Sequence, residues 1–125
     1  MSQEEINQVT ERIIGCAFKV ANTLGHGFLE SVYENALAHE LRKAGFNVEQ
    51  QKQIDVYYDG VKVGHFDADL LVQGSVLVEL KTAKALDDIH MAQCLNYLKA
   101  TGLTVCLLLN FGKPKIDAKR IVRNF

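Results

Sequence analysis

The chain has 125 residues, of which 48% are hydrophobic and 23% are charged. This length suffices for a single domain (residues 1–125) with one hydrophobic core, and the composition excludes a disordered chain. The net charge of −1 gives no sign of the overall basicity that attracts nucleic acid. No segment reaches the roughly 18 uninterrupted apolar residues of a membrane span, so we expect no membrane partner.

The cysteines and the N-terminus indicate a reducing compartment. Cys16, Cys94 and Cys106 are widely spaced and lie among apolar neighbours. This is typical of small core residues rather than of a disulfide framework or a zinc site. The acidic N-terminal segment lacks the basic region and apolar core of a signal peptide. We therefore predict a cytoplasmic protein.

Two helices are predicted first. Apolar residues repeat at helical spacing from about residue 4 to residue 24, and Gly25-His26-Gly27 interrupts this pattern. A second helix is predicted from about Leu29 to Ala44, where Gly45 is a typical C-terminal stop. From Val48 onward the hydrophobic period changes from helical to two, which predicts strands.

Three strands follow the second helix. Asp59-Gly60 is a two-residue hairpin turn that separates the first strand from a second one at about Val61 to Val72. The second strand leads through Gln73-Gly74-Ser75 into a third strand, because short β-branched runs flank this turn-forming triplet.

The last part of the chain alternates helix and strand. Asp87-Asp88 opens a third helix that runs to about Thr101. The segment from Leu103 to Leu109 is apolar on both faces, as expected of a central buried strand. A short strand near Ile121-Val122 closes the chain. The order predicts a mixed α/β domain of two or three layers.

Two carboxylates and a lysine lie on the hairpin around Gln73-Gly74-Ser75. If these three residues form the loop, Asp69 lies directly opposite Glu79, and Lys81 shares their face because strand side chains alternate. Two like charges in that position destabilise a sheet, and a divalent metal with hard oxygen ligands is the natural counter-ion. The hairpin is therefore a candidate active site.

The pairing register decides this interpretation. A two-residue loop at Gly74-Ser75 would place Asp69 and Glu79 on opposite faces, leaving an edge hairpin with solvated charges. Asp67 adds another alternative, because in the three-residue register it lies opposite Lys81 and a plain ion pair could form there. The spacing alone leaves these alternatives open.

Lys81 also has two interpretations. It is either a structural counter-ion or a group that orients the attacking water and stabilises the transition state of phosphate hydrolysis. A metal would lower the pKa of its bound water and neutralise the phosphate. The set of side chains suits phosphodiester hydrolysis.

Polar residues on the second and third helices bear on the same site. His90, Gln93 and Tyr97 form one stripe on the third helix, although such a stripe is also typical of the wetter side of a half-buried helix. Glu30 opens the second helix, where an anion that is favourable to the helix dipole is the simpler interpretation.

These residues resemble the D…ExK core of the PD-(D/E)XK nuclease superfamily, with Asp69 followed after nine residues by Glu79-Leu80-Lys81. The predicted α-β-β-β-α-β order is the one that this superfamily uses. The resemblance implies a restriction-endonuclease-like α/β core with an additional N-terminal helix and a mixed sheet flanked by helices. Ala68 replaces the proline that names the superfamily, a change that the superfamily tolerates.

The residues from Gly27 to Tyr33 resemble the GxxExxY pattern, which names a small bacterial and archaeal family within that superfamily. Four further segments are similar to blocks of the same family: Asp69–Val72, Val78–Lys81, Gln93–Leu98 and Leu109–Gly112. Together the blocks span about residues 20–125.

The resemblance implies a metal site. Asp69 and Glu79 would be metal ligands together with the backbone carbonyl of Leu80, and the metal would be Mg²⁺ or Mn²⁺. Glu30 would complete the metal shell directly or through water.

The resemblance also implies roles toward the substrate. Lys81 would act on the water or the scissile phosphate, while Gln93 and Tyr97 resemble the QxxxY motif of RecB-like nucleases and would border the substrate. The implied function is a Mg²⁺-dependent nuclease, with DNA expected ahead of RNA. The alternatives are a catalytically silent module of the same fold that binds nucleic acid or protein, and a metal-binding regulator. A homodimer or a partner protein would supply specificity that so small a domain lacks.

Overall fold

A computed structural model describes residues 1–125 and contains three helices and five strands. The helices are α1 (Gln3–Leu24), α2 (Glu30–Lys43) and α3 (Asp88–Thr101). The strands are β1 (Val48–Tyr58), β2 (Val61–Val72), β3 (Val76–Lys81), β4 (Val105–Asn110) and β5 (Asp117–Val122). The predicted order of elements is confirmed. Strand β4 begins two residues later than the apolar run suggested.

The five strands form one mixed sheet in the order β1-β2-β3-β4-β5. Strands β3 and β4 pair in parallel, whereas the other neighbours pair antiparallel. Helix α3 is the connection between the two parallel strands, because parallel neighbours need a crossover rather than a hairpin. The mixed α/β fold class predicted from the sequence is confirmed.

The hydrophobic core lies on both faces of this sheet. Val76, Val78 and Leu80 of β3 pack with α1 and α2 on one face, whereas Leu77 packs with α3 on the other. Strand β4 is buried along its whole length, as its continuous apolar sequence predicted. Because side chains alternate along β3, Glu79 projects from the face that α3 covers.

Helix α3 is capped at both ends. The Asp87 carboxylate accepts hydrogen bonds from the backbone N–H groups of Ile89 and His90, at 3.0 and 3.2 Å. In return Nδ1 of His90 accepts the N–H of Asp87 at 3.2 Å, which completes a capping box. Gly102 ends the helix in the left-handed conformation. The imidazole of His90 therefore serves the start of the helix.

Two predictions from composition can be compared with this fold. Cys16, Cys94 and Cys106 are free and buried, which confirms that they are core residues. No helix of the protein combines the length and the apolar character needed to cross a membrane.

Candidate active site

The three-residue loop predicted for the central hairpin is confirmed. Leu70 pairs with Val78, and the register leaves Gln73-Gly74-Ser75 as the loop. The next residues outward, Asp69 and Glu79, lie opposite one another, and the alternative two-residue loop is wrong. Ladder pairing between β2 and β3 stops at Leu70, so the two strands diverge at the carboxylates.

Asp69 is held in place by two hydrogen-bond donors. Its Oδ2 atom accepts the backbone N–H of Leu80 at 2.8 Å, and its Oδ1 atom accepts the side-chain amide of Gln51 at 3.2 Å. Because the strands no longer pair here, the carboxylate replaces a backbone carbonyl as the acceptor for Leu80. Two donors to one carboxylate fix its position.

Glu79 is a buried carboxyl with an incomplete set of partners. Its residue is 4% exposed, and its Oε1 atom has no hydrogen-bond partner. Burial raises the pKa of Glu79 to about 10, assisted by its hydrogen bond with Asp69 and by the charge of Asp69. The Glu79 side chain therefore keeps its proton at neutral pH unless a cation comes to balance its charge.

Lys81 lies at the end of the same strand and contacts α3. Its Nζ atom donates to Oε1 of Gln93 at 3.3 Å, so Gln93 holds the ammonium group at the site. The alternative ion pair with Asp67 does not form. Asp67 is exposed and takes part in none of the ion pairs of the protein.

Tyr97 lies one helical turn beyond Gln93, on the same side of α3. Its ring stacks on Phe66, with centroids 3.7 Å apart and planes 8° from parallel. Burial and the charges of Glu79 and Asp69 raise the pKa of Tyr97 above its usual value. Gln93 therefore contacts Lys81, and Tyr97 follows it on the same side of α3.

Helix α2 presents two carboxylates at the rim of the site. Oε2 of Glu30 lies 3.5 Å from Oγ1 of Thr82, the residue after Lys81. Glu34, one turn later, accepts a hydrogen bond from the same Gln51 amide that donates to Asp69. The sequence analysis identified Glu30 but missed Glu34 and Gln51.

Gln51 occupies a special backbone position in β1. Its φ angle is 51°, in the left-handed region, and it lies across from Asp69 between two paired positions. Leu70 packs toward α1 and α2, whereas Ala68 packs toward α3, although strict alternation would place both on one face. The side chains of β2 therefore change face at Asp69, opposite the irregular residue of β1.

The segment after Lys81 is fixed by the end of β4. The buried Asn110 side chain accepts the backbone N–H of Ala83 at 3.0 Å and donates to its carbonyl at 2.9 Å. The N–H of Phe111 donates to the carbonyl of Lys81 at 2.8 Å. Asn110 thus acts as a clamp beside the candidate catalytic lysine, a role that the Leu109–Gly112 block did not reveal.

Gly112 is required by the same clamp, and this gives a prediction. A Cβ atom at Gly112 would lie 2.6 Å from the backbone of Ala83. We expect Gly112→Ala to lower the free energy of unfolding by about 1–3 kcal/mol, because the backbone must shift to relieve the overlap. Urea denaturation measures the change. The matched control is Gly15→Ala in α1, where no atom lies within 4 Å and a gain of about 0.5–1 kcal/mol is expected. Equal stability of Gly112→Ala and wild type would contradict the clamp.

The loop before α2 explains two residues of the GxxExxY pattern in physical terms. Gly27 has a φ of 114°, which favours glycine. The buried hydroxyl of Tyr33 donates to the carbonyl of Gly25 at 2.6 Å and accepts the N–H of Phe28 at 3.2 Å. Tyr33 therefore fixes the loop and sets the position at which Glu30 enters α2.

The acidic pair is suited to a divalent cation, although it does not form a complete ligand set. No group of three or more Asp, Glu, His or Cys side chains is gathered closely enough to hold a metal. Asp69 and Glu79 nevertheless supply hard oxygen donors, and the unpartnered Oε1 atom of Glu79 is a buried acceptor that a cation would satisfy. The residues present fit a cation held by two carboxylates, with carbonyl and water oxygens completing its shell.

A family model described as the PD-(D/E)XK nuclease superfamily matches residues 7–122. The chain belongs to this superfamily. Its members are nucleases, they generally use divalent metals, and their substrates are nucleic acids. No curated protein sequence matches the chain significantly.

Two solved structures share the fold. The crystal structure of SSO0001 has a TM-score of 0.56 and 17% identity, over 76% of this chain and 50% of that chain. The alkaline exonuclease LHK-Exo from Laribacter hongkongensis has a TM-score of 0.52 and 16% identity, over 86% of this chain and 76% of that chain. This PD-(D/E)XK chain thus spans half the length of SSO0001 and about three quarters of the exonuclease.

Proposed function

We propose that this protein is a Mg²⁺- or Mn²⁺-dependent nuclease that hydrolyses phosphodiester bonds, in DNA rather than RNA. One observation carries the proposal. The carboxyl groups of Asp69 and Glu79 meet where β2 and β3 diverge, with a buried oxygen unpartnered and with Lys81 on the same strand. A buried carboxyl oxygen without a partner is costly unless a cation binds it, and such a carboxyl beside a second carboxyl and a lysine is typical of an active site.

Asp69, Glu79 and the carbonyl of Leu80 would hold the cation, and Glu30 would reach it through water. A bound divalent ion would neutralise the phosphate and make water a better nucleophile. Lys81, oriented by Gln93, donates its ammonium hydrogens to the attacking water or to a phosphate oxygen as negative charge develops. Asn110 limits the motion of the lysine by fixing the segment that follows it.

The remaining residues of the site serve the substrate. Gln93 and Tyr97 border the space above the acidic pair, so the nucleic-acid strand passes along this side of α3. We also propose that the protein is a member of the GxxExxY group. The positive φ of Gly27 and the two hydrogen bonds of the Tyr33 hydroxyl support this assignment, because both depend on the motif residues themselves.

A cleavage assay tests the function. The purified protein is incubated with linear, nicked and single-stranded DNA and with RNA, in Mg²⁺ or Mn²⁺ and in EDTA. We expect cleavage of DNA that needs the metal and disappears in Glu79→Gln, which keeps the shape of the protonated side chain but cannot ionise. Cleavage that survives in this variant would come from a contaminating enzyme and would overturn the assignment.

A non-cleaving module that binds nucleic acid is the second candidate. The lack of a gathered set of three ligands and the protonated state of Glu79 favour it. Binding of labelled DNA without cleavage in either metal, unchanged in Glu79→Gln, would establish this candidate instead.

A further inference from the structure

The β1–β2 hairpin extends well beyond the rest of the sheet. Strands β1 and β2 pair along their whole length, from the pair Val48–Val72 to the pair Tyr58–Val61. Strand β2 pairs with β3 only from Leu70 to Val72. We call the part without a third strand, residues 52–68, the arm. Its tip exposes several large apolar side chains: Tyr57, Tyr58, Val61 and Val63. A two-stranded arm with an apolar end is costly to expose, so it indicates a binding function.

A groove of about 450 Å³ lies between the arm and α3. Its lining consists of three residues of the arm and four of the helix: Val56, Tyr57, Phe66, Asn96, Tyr97, Lys99 and Ala100. Phe66 and Tyr97 form the parallel stack described above, which makes one wall flat and aromatic. Tyr57 is 63% exposed, so much of its ring is free.

The groove and the candidate active site lie along the same side of α3. Tyr97 lines the groove, and the charges of Glu79 and Asp69 help to raise its pKa. Gln93, one turn earlier on α3, contacts Lys81. Positions four residues apart on a helix are neighbours, roughly 5–6 Å between Cβ atoms. A ligand in the groove therefore lies beside the site where Lys81 acts.

The chemistry of the lining indicates the occupant. Aromatic rings stack on nucleobases of any sequence, because every base has a π face. Asn96 offers an amide to the edge of a base, and Lys99 is the one charged residue of the lining and forms no ion pair. A single cation without an opposing carboxylate suits a phosphate.

We propose that the groove between the arm and α3 receives one unpaired base of the substrate, next to the phosphate at Lys81, with Tyr57 stacking on it. This inference rests on the proposed function and narrows its substrate to nucleic acid with a single-stranded or frayed segment. A base inside a duplex has no free face to offer to the groove.

A coupling experiment between the ring and the base tests the proposal. In a Glu79→Gln background and in EDTA, where no cleavage is expected, fluorescence anisotropy gives the affinity for single-stranded oligonucleotides with and without one abasic position. Moving the abasic position along the strand locates the base that matters. We expect its removal to weaken binding roughly tenfold when Tyr57 is present, and hardly at all in Tyr57→Ala.

Tyr58→Ala is the matched control. Tyr58 has the same chemistry, the next position on the strand and a similar exposed fraction of 75%, but it does not line the groove. The tenfold effect of the abasic site should persist in this variant. Additive effects of Tyr57→Ala and the abasic site would overturn the proposal. The molecular mass measured by sedimentation is a second readout. An equal decrease of this mass in Tyr57→Ala and Tyr58→Ala would also overturn the proposal, because the arm would then join copies of the chain.

The results separate this inference from the function on which it rests. Metal-dependent cleavage together with additive effects of Tyr57→Ala and the abasic site would support the proposed nuclease and contradict the base-binding groove. Coupled effects in a protein that cleaves nothing would support the groove and remove the nuclease.

Discussion

In EDTA, raising the pH from about 5.5 to about 8.5 should lower the free energy of unfolding of the wild type by about 4 kcal/mol relative to Glu79→Gln. The cause is the pKa of Glu79, which burial and Asp69 raise to about 10 in the folded protein. In the unfolded chain this carboxyl ionises near its ordinary value of about 4.3.

The sign follows from proton binding. Between these two pKa values the folded state holds one proton more than the unfolded state, so rising pH favours unfolding by about 1.4 kcal/mol per pH unit. The stability that the neutral Glu79 provides is complete below the unfolded pKa and is lost as the pH rises through the folded pKa. Glu79→Gln carries no such proton, so its stability follows only the other titrating groups, which the wild type shares.

Urea denaturation of both proteins across this pH range measures the difference. Parallel curves would show that Glu79 titrates in the same way in both states and would contradict its burial beside Asp69. Mg²⁺ supplies a second readout. Because a metal binds the ionised carboxylate, Mg²⁺ should raise the stability of the wild type more at about pH 8.5 than at about pH 5.5. It should do little for Glu79→Gln at either pH.

The central hairpin could be predicted from the sequence because its signals are local. A turn-forming triplet between two short apolar strands predicts the hairpin, but it leaves both a two-residue and a three-residue loop open. The pairing of Leu70 with Val78 in the structure decides for the three-residue loop, which places Asp69 opposite Glu79. The third helix was equally readable, because its capping box at Asp87 and its terminal glycine are encoded within a few residues. These features depend on neighbours in sequence.

Gln51 and Glu34 could not be found in the same way. The role of Gln51 depends on its left-handed backbone in the middle of a strand, a conformation that a glycine in the sequence would have indicated. The role of Glu34 depends on where α2 crosses β1. In the sequence pattern, Gln51 is one of several polar residues in the first half of β1. The change of side-chain face at Asp69 likewise follows from how two strands diverge in space, not from their periodicity.

Asn110 illustrates a further kind of information that a single sequence lacks. It ends an apolar run and resembles an ordinary strand terminus, yet its side chain is fully buried and makes three hydrogen bonds to backbone groups. Only the tertiary fold brings Ala83, 27 residues earlier, within reach of its amide. The clamp beside Lys81 is thus a property of the parallel pairing of β3 and β4.

Replacing Lys81 by alanine should reduce the rate of cleavage by about 10²–10³, the cost of removing one electrostatic donor from a transition state. The carboxylates remain in Lys81→Ala, so Mg²⁺ should still stabilise the variant at high pH, in contrast to Glu79→Gln. Single-turnover kinetics at saturating Mg²⁺ measure the chemical step, and thermal denaturation with and without Mg²⁺ measures metal binding.

Gln93→Leu provides the comparison that separates the lysine from its support. It removes the acceptor that holds Nζ at 3.3 Å but keeps the ammonium group, so we expect a smaller loss, roughly tenfold, from poorer positioning. Gln93→Glu restores an acceptor and should recover part of the rate, which a merely structural contact would not. Cleavage by Lys81→Ala at the wild-type rate would remove the lysine from the mechanism and reduce it to a counter-ion of Asp69 and Glu79.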